Sequence, residues 1–217
     1  MRIVVTAGPT REYLDPVRFL SNRSTGKMGF AIAAEAARRG HEVVLVAGPV
    51  ALKTPKGVER VDVTSAREML EASLGGLEGL GDLEKVVFIS TAAIADWRPA
   101  KCAAKKLKKG EMSGVLKLVR NPDLLKTVDS CRKRSKAVGL RLVGFAAETD
   151  HVLAEAARKC REKGQSFIVA NDVTQKGCGF GTDTNRVTFV FPDGTLKKFP
   201  LMTKRMVAKN IIREIEK

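Results

Sequence analysis

Four lysines in five residues, Lys105, Lys106, Lys108 and Lys109 around Leu107, follow shortly after Asp96 and Trp97. Such a run is ordinarily a solvated face. On a loop that leaves the C-terminal end of a strand it could instead close over a polyphosphate, where ammonium groups stabilise charge that develops in a transition state. Asp96 could bind Mg²⁺, accept a hydrogen bond from a base, or cap a turn. A second stretch, Ser21 to Phe30 (SNRSTGKMGF), leads small residues and the pair Gly26-Lys27 into an Ala-rich helix. It is not a Walker motif, because Ser21 and Met28 stand where Gly and Ser or Thr are required. A dinucleotide GxGxxG is missing too, since Pro9 and Thr10 follow Gly8. What survives is a helix start whose backbone N–H groups, Gly26 to Gly29, can face an anion with the helix dipole behind them. The same glycines would also allow close packing over Ala31, Ala33, Ala34 and Ala37. Lys159 and Lys163, one turn apart, can reach phosphates or form an ordinary basic stripe. His41 and His151 are isolated from any Cys, Asp or Glu constellation, so neither suggests metal or triad chemistry.

These residues need a frame. Short, nearly continuous β-branched runs, RIVVTA (2–7), EVVLVAG (42–48), KVVFIST (85–91), RLVGFAA (141–147) and SFIVAND (166–172), read as strands buried on both faces. Helical patterns fall between them, at about Lys27 to Arg39, Ser65 to Leu74, Pro122 to Arg134 and Asp150 to Lys163. Gly40 and Gly164 follow basic last turns, as helix C-termini do. The alternation predicts an α/β, Rossmann-like, three-layer doubly wound and mostly parallel sheet. The segment 97–123 reads as a basic inserted flap with its own strand, Val115 to Val119. A C-terminal β-hairpin turns at Asp193-Gly194, and a last helix begins near Thr203. One domain, 1–217, is expected. Four polar strand-end loops would converge on one sheet edge, where open α/β sheets bind ligands: 6–29, 90–109, 145–150 and 170–185.

The chain of 217 residues carries a formal charge of +15, with 44% hydrophobic and 29% charged residues. That balance suits a globular core and favours an acidic partner: nucleic acid, an anionic membrane, or a multiply phosphorylated substrate. One Trp, one Tyr and nine Phe offer little surface for stacking single-stranded bases. No apolar run reaches the roughly 20 residues of a membrane span, and residues 1–7 read as a strand rather than a signal peptide. Four cysteines without CxxC or zinc spacing are then expected as reduced thiols in a cytoplasmic protein.

TAGPTREYLDPVRFLSNRSTGKMGFAIA, AGPV, AAIADWRP, KKLKK, NPDLL, GFAAET and ANDV, in this order, closely resemble phosphopantothenoylcysteine synthetase (phosphopantothenate–cysteine ligase), the ligase half of the bacterial bifunctional coenzyme A biosynthesis protein. The resemblance spans Met1 to about Val190. Thr25 replaces the usual second serine of the Ser-Asn loop, and Ser90-Thr91 replace a common Gly-Cys. It implies a ligase that activates 4′-phosphopantothenate with CTP, with Mg²⁺ as cofactor, and then joins it to L-cysteine. It further implies catalytic roles for Asn22, on the acyl intermediate, and for Lys106, on phosphate chemistry. By the same resemblance the nucleotide lies on Gly8, Ser90, Thr91, Ala92, Asp96, Lys106, Pro122, Asp123, Leu124, Leu125, Phe145, Lys159 and Lys163. Asp96 would accept from the cytosine and Phe145 would flank it. Asn22, Ser24, Gly26 and Ala93 would hold the substrate or intermediate, and the metal would ride mainly on the triphosphate. A homodimer is implied, each flap passing near the partner's site, with the hairpin and the Val115 strand as the interface. A phosphopantothenoylcysteine decarboxylase, separate or fused, is the expected partner; nucleic acid and membrane are not.

Two other readings compete. A basic nucleic-acid module is disfavoured by the scarce aromatics and by lysines gathered on the predicted site. An NADP reductase would want a Tyr-x-x-x-Lys pair, but Tyr13 is the only tyrosine and Val17 stands at the lysine position.

Overall fold

Strands that are apolar at every position need cover on both faces, and the chain supplies it. The computed structural model describes residues 1–77, 85–111, 114–135, 139–148, 152–172, 174–175 and 177–217. In chain order the elements are β1 (Arg2–Ala7), β2 (Arg11–Tyr13), β3 (Phe19–Ser21), α1 (Lys27–Arg38), β4 (Glu42–Ala47), β5 (Glu59–Asp62), α2 (Ala66–Gly75), β6 (Val86–Ser90), β7 (Trp97–Pro99) and β8 (Leu118–Arg120). Then follow α3 (Leu124–Arg134), β9 (Leu140–Glu148), α4 (Val152–Glu162), β10 (Phe167–Asp172), β11 (Thr184–Asn185), β12 (Val187–Val190), β13 (Leu196–Lys198), β14 (Met202–Thr203) and α5 (Lys204–Ile215).

The main sheet has the order β13-β12-β10-β9-β6-β1-β4-β5. The strands from β5 through β10 are parallel, while β12 and β13 add on antiparallel. This is the doubly wound order, and it reverses between β1 and β6. Alternate side chains go to opposite faces. Ile3, Val5 and Ala7 meet Ile32, Ala33, Ala36, Val207, Ile211 and Ile212 under α1 and α5, whereas Val4 joins Met69, Leu124, Val128 and Leu142 under α2 and α3. The Asp193-Gly194 hairpin is present, with Thr195 N–H donating to Asp193 Oδ1 at 2.9 Å. Thr203 caps α5 by accepting from Met206 N–H.

Two expectations change. The flap strand is not Val115 to Val119 but Leu118–Arg120, because its register is set by antiparallel pairing with Trp97–Pro99; Val115 is 81% exposed. The third helix starts at Leu124, not Pro122, because the Asp123 side chain accepts from Lys126 N–H as its N-cap. The expected helix start at Asp150 lies outside the described residues. Several strands pass unnoticed in the sequence, among them the short, partly polar β5 and both strands of the β2–β3 hairpin, within what reads as one long loop.

An acid-sensitive clamp fastens the C-terminal end of α1. Buried Glu35 accepts from Arg38 (2.8 Å) and Arg39 (2.9 Å), and Arg39 and His41 both reach Glu216 beyond α5. The Arg38 hydrogen bond, reinforced by Arg39 and opposed by burial, lowers the Glu35 pKa to about 2 from 4.5. A depressed folded-state value gives stability that is present above the unfolded pKa and is lost as pH falls through the folded one. Glu35→Gln is therefore less stable than wild type at pH 7 in urea titrations. That gap closes as pH drops from about 4.5 towards 2.

Candidate functional site

At the point where strand order reverses, the ends of β1 and β6 splay their loops to opposite sides and leave a crevice. The two loops are laced together by small polar groups. Thr91 Oγ1 donates to the Thr6 carbonyl (2.5 Å), and Ala92 N–H donates to Thr6 Oγ1 (3.3 Å). Ala93 N–H donates to the Gly8 carbonyl (2.9 Å), and Ala95 N–H donates to Thr10 Oγ1 (3.0 Å). Gly8, at φ 81°, is thus a buried backbone hub behind the crevice rather than part of its lining. Ser90 is likewise buried at the end of β6.

A cleft opens there, lined by Ser24 to Gly29, Thr91 to Ala93, Phe145, Ala146, Asn171, Gly179, Phe180, Asn185 and Lys204. Gly26 caps α1 in the left-handed region at φ 76°, without any side-chain cap and with no acidic residue in the first turn. The first N–H groups of α1 therefore remain available to an anion. Packing also needs these glycines: a Cβ on Gly29 would lie 2.5 Å from Ala7 Cβ and 2.6 Å from Thr91 Oγ1. Asn22 stands at the rim, and its Nδ2 donates to the Ala93 carbonyl at 3.0 Å. The Ser-Asn loop and the Ala-Ala-Ile-Ala-Asp turn are joined by that one side-chain contact. Lys27 does not point as a P-loop lysine would: its Nζ is 2.7 Å from Asp183 Oδ1.

The turn continues out of this cleft into a second, polar cavity lined by Asp96, Trp97, Arg120, Asn121, Pro122, Asp123 and Lys126. Phe145 and Asp96, expected around one base, therefore line two cavities joined by the Thr91-to-Asp96 turn. Leu124 and Leu125 pack their side chains in the core, 5% and 8% exposed, so a ligand beside them meets main chain at the α3 N-terminus. Asp123 pairs with Lys163 at 2.9 Å, which ties the end of α4 to the start of α3. Burial alone would raise the Asp123 pKa, but Lys163 and the Lys126 N–H outweigh it and hold the carboxylate ionised. Lys159 lies half-buried on the same helix.

Lys106 lines neither cavity; it is exposed on the flap between β7 and β8. Its position is set by residues the sequence does not advertise. Asp15, fully buried in the β2–β3 turn, accepts from Leu107 N–H (3.2 Å), while Arg18 Nη2 donates to the Leu107 carbonyl (2.8 Å). The Arg18 guanidinium beside Asp15 holds its carboxyl well below the usual carboxylate range. Ala103 N–H adds a bond to the Leu14 carbonyl (2.8 Å). Asp15→Ala removes this anchor, so trypsin should cut within Lys105–Lys109 several-fold faster while the far-ultraviolet spectrum is retained. An unchanged cleavage rate would show that the flap is held elsewhere.

Among the described residues no group of three or more His, Cys, Asp or Glu side chains could hold a metal ion. All four cysteines are unpaired. No helix among the described residues is long and apolar enough to cross a membrane.

The reversed strand order, the glycine-led helix and the polar turn facing it define a Rossmann-like doubly wound domain with its cleft at the switch point. Sequence comparison places it more closely: the chain belongs to the DNA/pantothenate metabolism flavoprotein C-terminal domain family, whose model matches residues 1–217. It is similar to the coenzyme A biosynthesis bifunctional protein CoaBC of Bacillus subtilis, 45% identical over 214 residues, which is 98% of this chain and 50% of that protein. The CoaBC of Escherichia coli K12 is 44% identical over 218 residues, 99% of this chain and 51% of that protein. The chain thus spans about half the length of these curated relatives. Among solved structures, the C-terminal domain of CoaBC superposes with a TM-score of 0.80 at 42% identity, covering 99% of this chain and 93% of that one. The DNA/pantothenate metabolism flavoprotein from Streptococcus pneumoniae gives 0.79 at 25% identity, with 100% and 98% covered.

Proposed function

We propose that this chain is a CTP-dependent phosphopantothenate–cysteine ligase acting in coenzyme A biosynthesis. The observation that carries the reading is the Asn22–Ala93 contact at 3.0 Å, which closes the substrate loop on the nucleotide turn beside an uncapped helix N-terminus. Family membership supports it, and so does the name of the relatives, which are coenzyme A biosynthesis proteins.

A carboxylate is a poor acyl donor, so activation must precede amide formation. A carboxylate oxygen of 4′-phosphopantothenate attacks the α-phosphorus of CTP. The bond to the bridging oxygen breaks, and pyrophosphate leaves. The cysteine amine then attacks the acyl carbon of the acyl-cytidylate, loses a proton, and CMP departs. The N–H groups of Gly26 to Gly29 face the phosphate charge. Asn22 holds the acyl group against the Ala93 turn, with Ser24 beside it. Asp96 accepts from the cytosine, Phe145 packs on the nucleotide, and the α3 N-terminus at Pro122 to Leu125 contributes main-chain groups. Lys159 and Lys163 supply positive charge from α4. Mg²⁺ bound with the triphosphate would offset its charge and make the α-phosphorus more electrophilic.

The unit is a homodimer on this reading, and Lys106 works in the partner's site. Leu118 on the flap strand and Leu196 on the Asp193-Gly194 hairpin, the expected interface, are exposed large apolar residues, as are Tyr13, Val17, Phe19 and Trp97 on the neighbouring ribbons, surfaces suited to self-association. A phosphopantothenoylcysteine decarboxylase, fused or separate, uses the product. The test is mass spectrometry of a mixture of the protein, phosphopantothenate, CTP, Mg²⁺ and L-cysteine. Phosphopantothenoylcysteine is expected, more with CTP than with ATP, and its absence from a dimeric sample contradicts the assignment.

A further inference from the structure

The back wall of the cleft is a glycine-rich loop, 177–183, to which the reaction above gives no task. It is held by Lys204, the first residue of α5, which is 7% exposed and lines the cleft. Lys204 Nζ donates to the carbonyls of Thr182 (2.6 Å) and Gly179 (3.1 Å). An ammonium has three N–H donors, so one remains beyond these two. No carboxylate is ion-paired with Lys204 among the described residues. The acid nearby, Asp183, spends its Oδ1 on Lys27 Nζ at 2.7 Å, and Lys27 also donates to the Gly181 carbonyl at 3.2 Å. Burial, and then the charge of Lys27, push the Lys204 pKa down. Both lysines line the main cleft and also a shallower hollow on its outer side. Lys27 thus takes the one nearby carboxylate, whose side chain is 83% exposed, and Lys204 is left with main-chain carbonyls, next to a helix start with no acidic residue. A buried charge without a full counter-charge is costly, and an anion from solution would relieve it.

We propose that Lys204, with Lys27 beside it, holds a phosphate group of the bound ligand at the inner end of the cleft. The proposal rests on the ligase reading, which supplies two sources for that phosphate: the terminal phosphates of CTP, which leave as pyrophosphate, and the 4′-phosphate of phosphopantothenate. Lys27 exchanges Asp183 for the phosphate, because an exposed ion pair is weak and easily screened. Lys204 keeps its two carbonyls and so fixes the loop against the ligand.

The test compares binding of CTP, CMP, inorganic pyrophosphate, phosphopantothenate and pantothenate to the full chain, with Mg²⁺, in wild type and Lys204→Met. If the subsite takes the nucleotide phosphates, the variant loses about tenfold or more for CTP and pyrophosphate, and CMP stays within about twofold. If it takes the 4′-phosphate, phosphopantothenate weakens and pantothenate does not. Unchanged binding of all five overturns the proposal, and so does uniform weakening that includes CMP and pantothenate. Should Lys204→Met fail to fold, Asp183→Asn decides. Removing the rival carboxylate should tighten pyrophosphate or phosphopantothenate several-fold at low salt, and equal or weaker binding of both overturns the proposal. Failure of the ligase reading looks different: pyrophosphate bound by wild type and lost in Lys204→Met, with no acyl-cytidylate ever formed, keeps the subsite and discards the reaction.

Discussion

Lys106→Gln lowers phosphopantothenate-dependent pyrophosphate release by about 100-fold or more, with thermal unfolding unchanged. The size follows from where the charge acts. Electron density accumulates on the oxygens around the α-phosphorus as the carboxylate attacks, and a positioned ammonium is worth several kcal/mol there, while an amide of similar length supplies a dipole only. Stability is spared because Lys106 is exposed and has no ion pair among the described residues; the anchoring contacts run through Leu107, Asp15 and Arg18. Lys106 lines neither cavity of its own chain, so the account assigns it to the partner's site. Mixing Lys106→Gln with Asn22→Asp protein should then restore activity that neither variant has alone. Mixed dimers without recovered activity would place the lysine in its own subunit's site.

Asn22→Asp slows cysteine-dependent completion by about 100-fold and changes CTP affinity by no more than about threefold. Asn22 Nδ2 donates to the Ala93 carbonyl. Aspartate puts an acceptor opposite that acceptor, and it adds a negative charge beside the acyl-cytidylate, whose bridging phosphate is itself anionic. Losing a donor and setting a carboxylate beside the anionic phosphate both act on the intermediate, whereas Asp96, Pro122 and Asp123, expected to hold CTP, line the second cavity. Single-turnover measurements separate the two steps: the variant should lag more in CMP release than in CTP binding. Equal loss in both would mean that Asn22 holds the loop rather than the intermediate.

Much of this architecture is legible from apolar runs. β1, β4, β6, β9 and β10 read as runs buried on both faces, and their strand ends mark the cleft. What hides is local structure whose signal is polar or borrowed. β5 is only Glu-Arg-Val-Asp at an edge. The β2–β3 ribbon is two tripeptides around a turn organised by Asp15, which accepts from Val17 and Arg18 N–H. The flap strand is displaced because pairing with Trp97–Pro99, not hydrophobicity, sets its register. In the site, Gly26 to Gly29 and the Thr91-to-Asp96 turn can be read locally. Asn171, Asn185 and Lys204 come from β10, β11 and α5, and only the three-dimensional fold brings them to one wall. The clue available beforehand was the Ala-Asn-Asp end of the β10 run; nothing in the local pattern of Lys204 distinguishes it from a surface lysine.

The central claim is a two-step path through an acyl-cytidylate. The most direct measurement incubates the protein with phosphopantothenate, CTP and Mg²⁺ but no cysteine, and follows pyrophosphate and CMP separately. The account predicts a burst of pyrophosphate near one per site with no matching CMP, and then CMP release when L-cysteine is added. Pyrophosphate release that needs cysteine, or CTP that stays intact throughout, would contradict it.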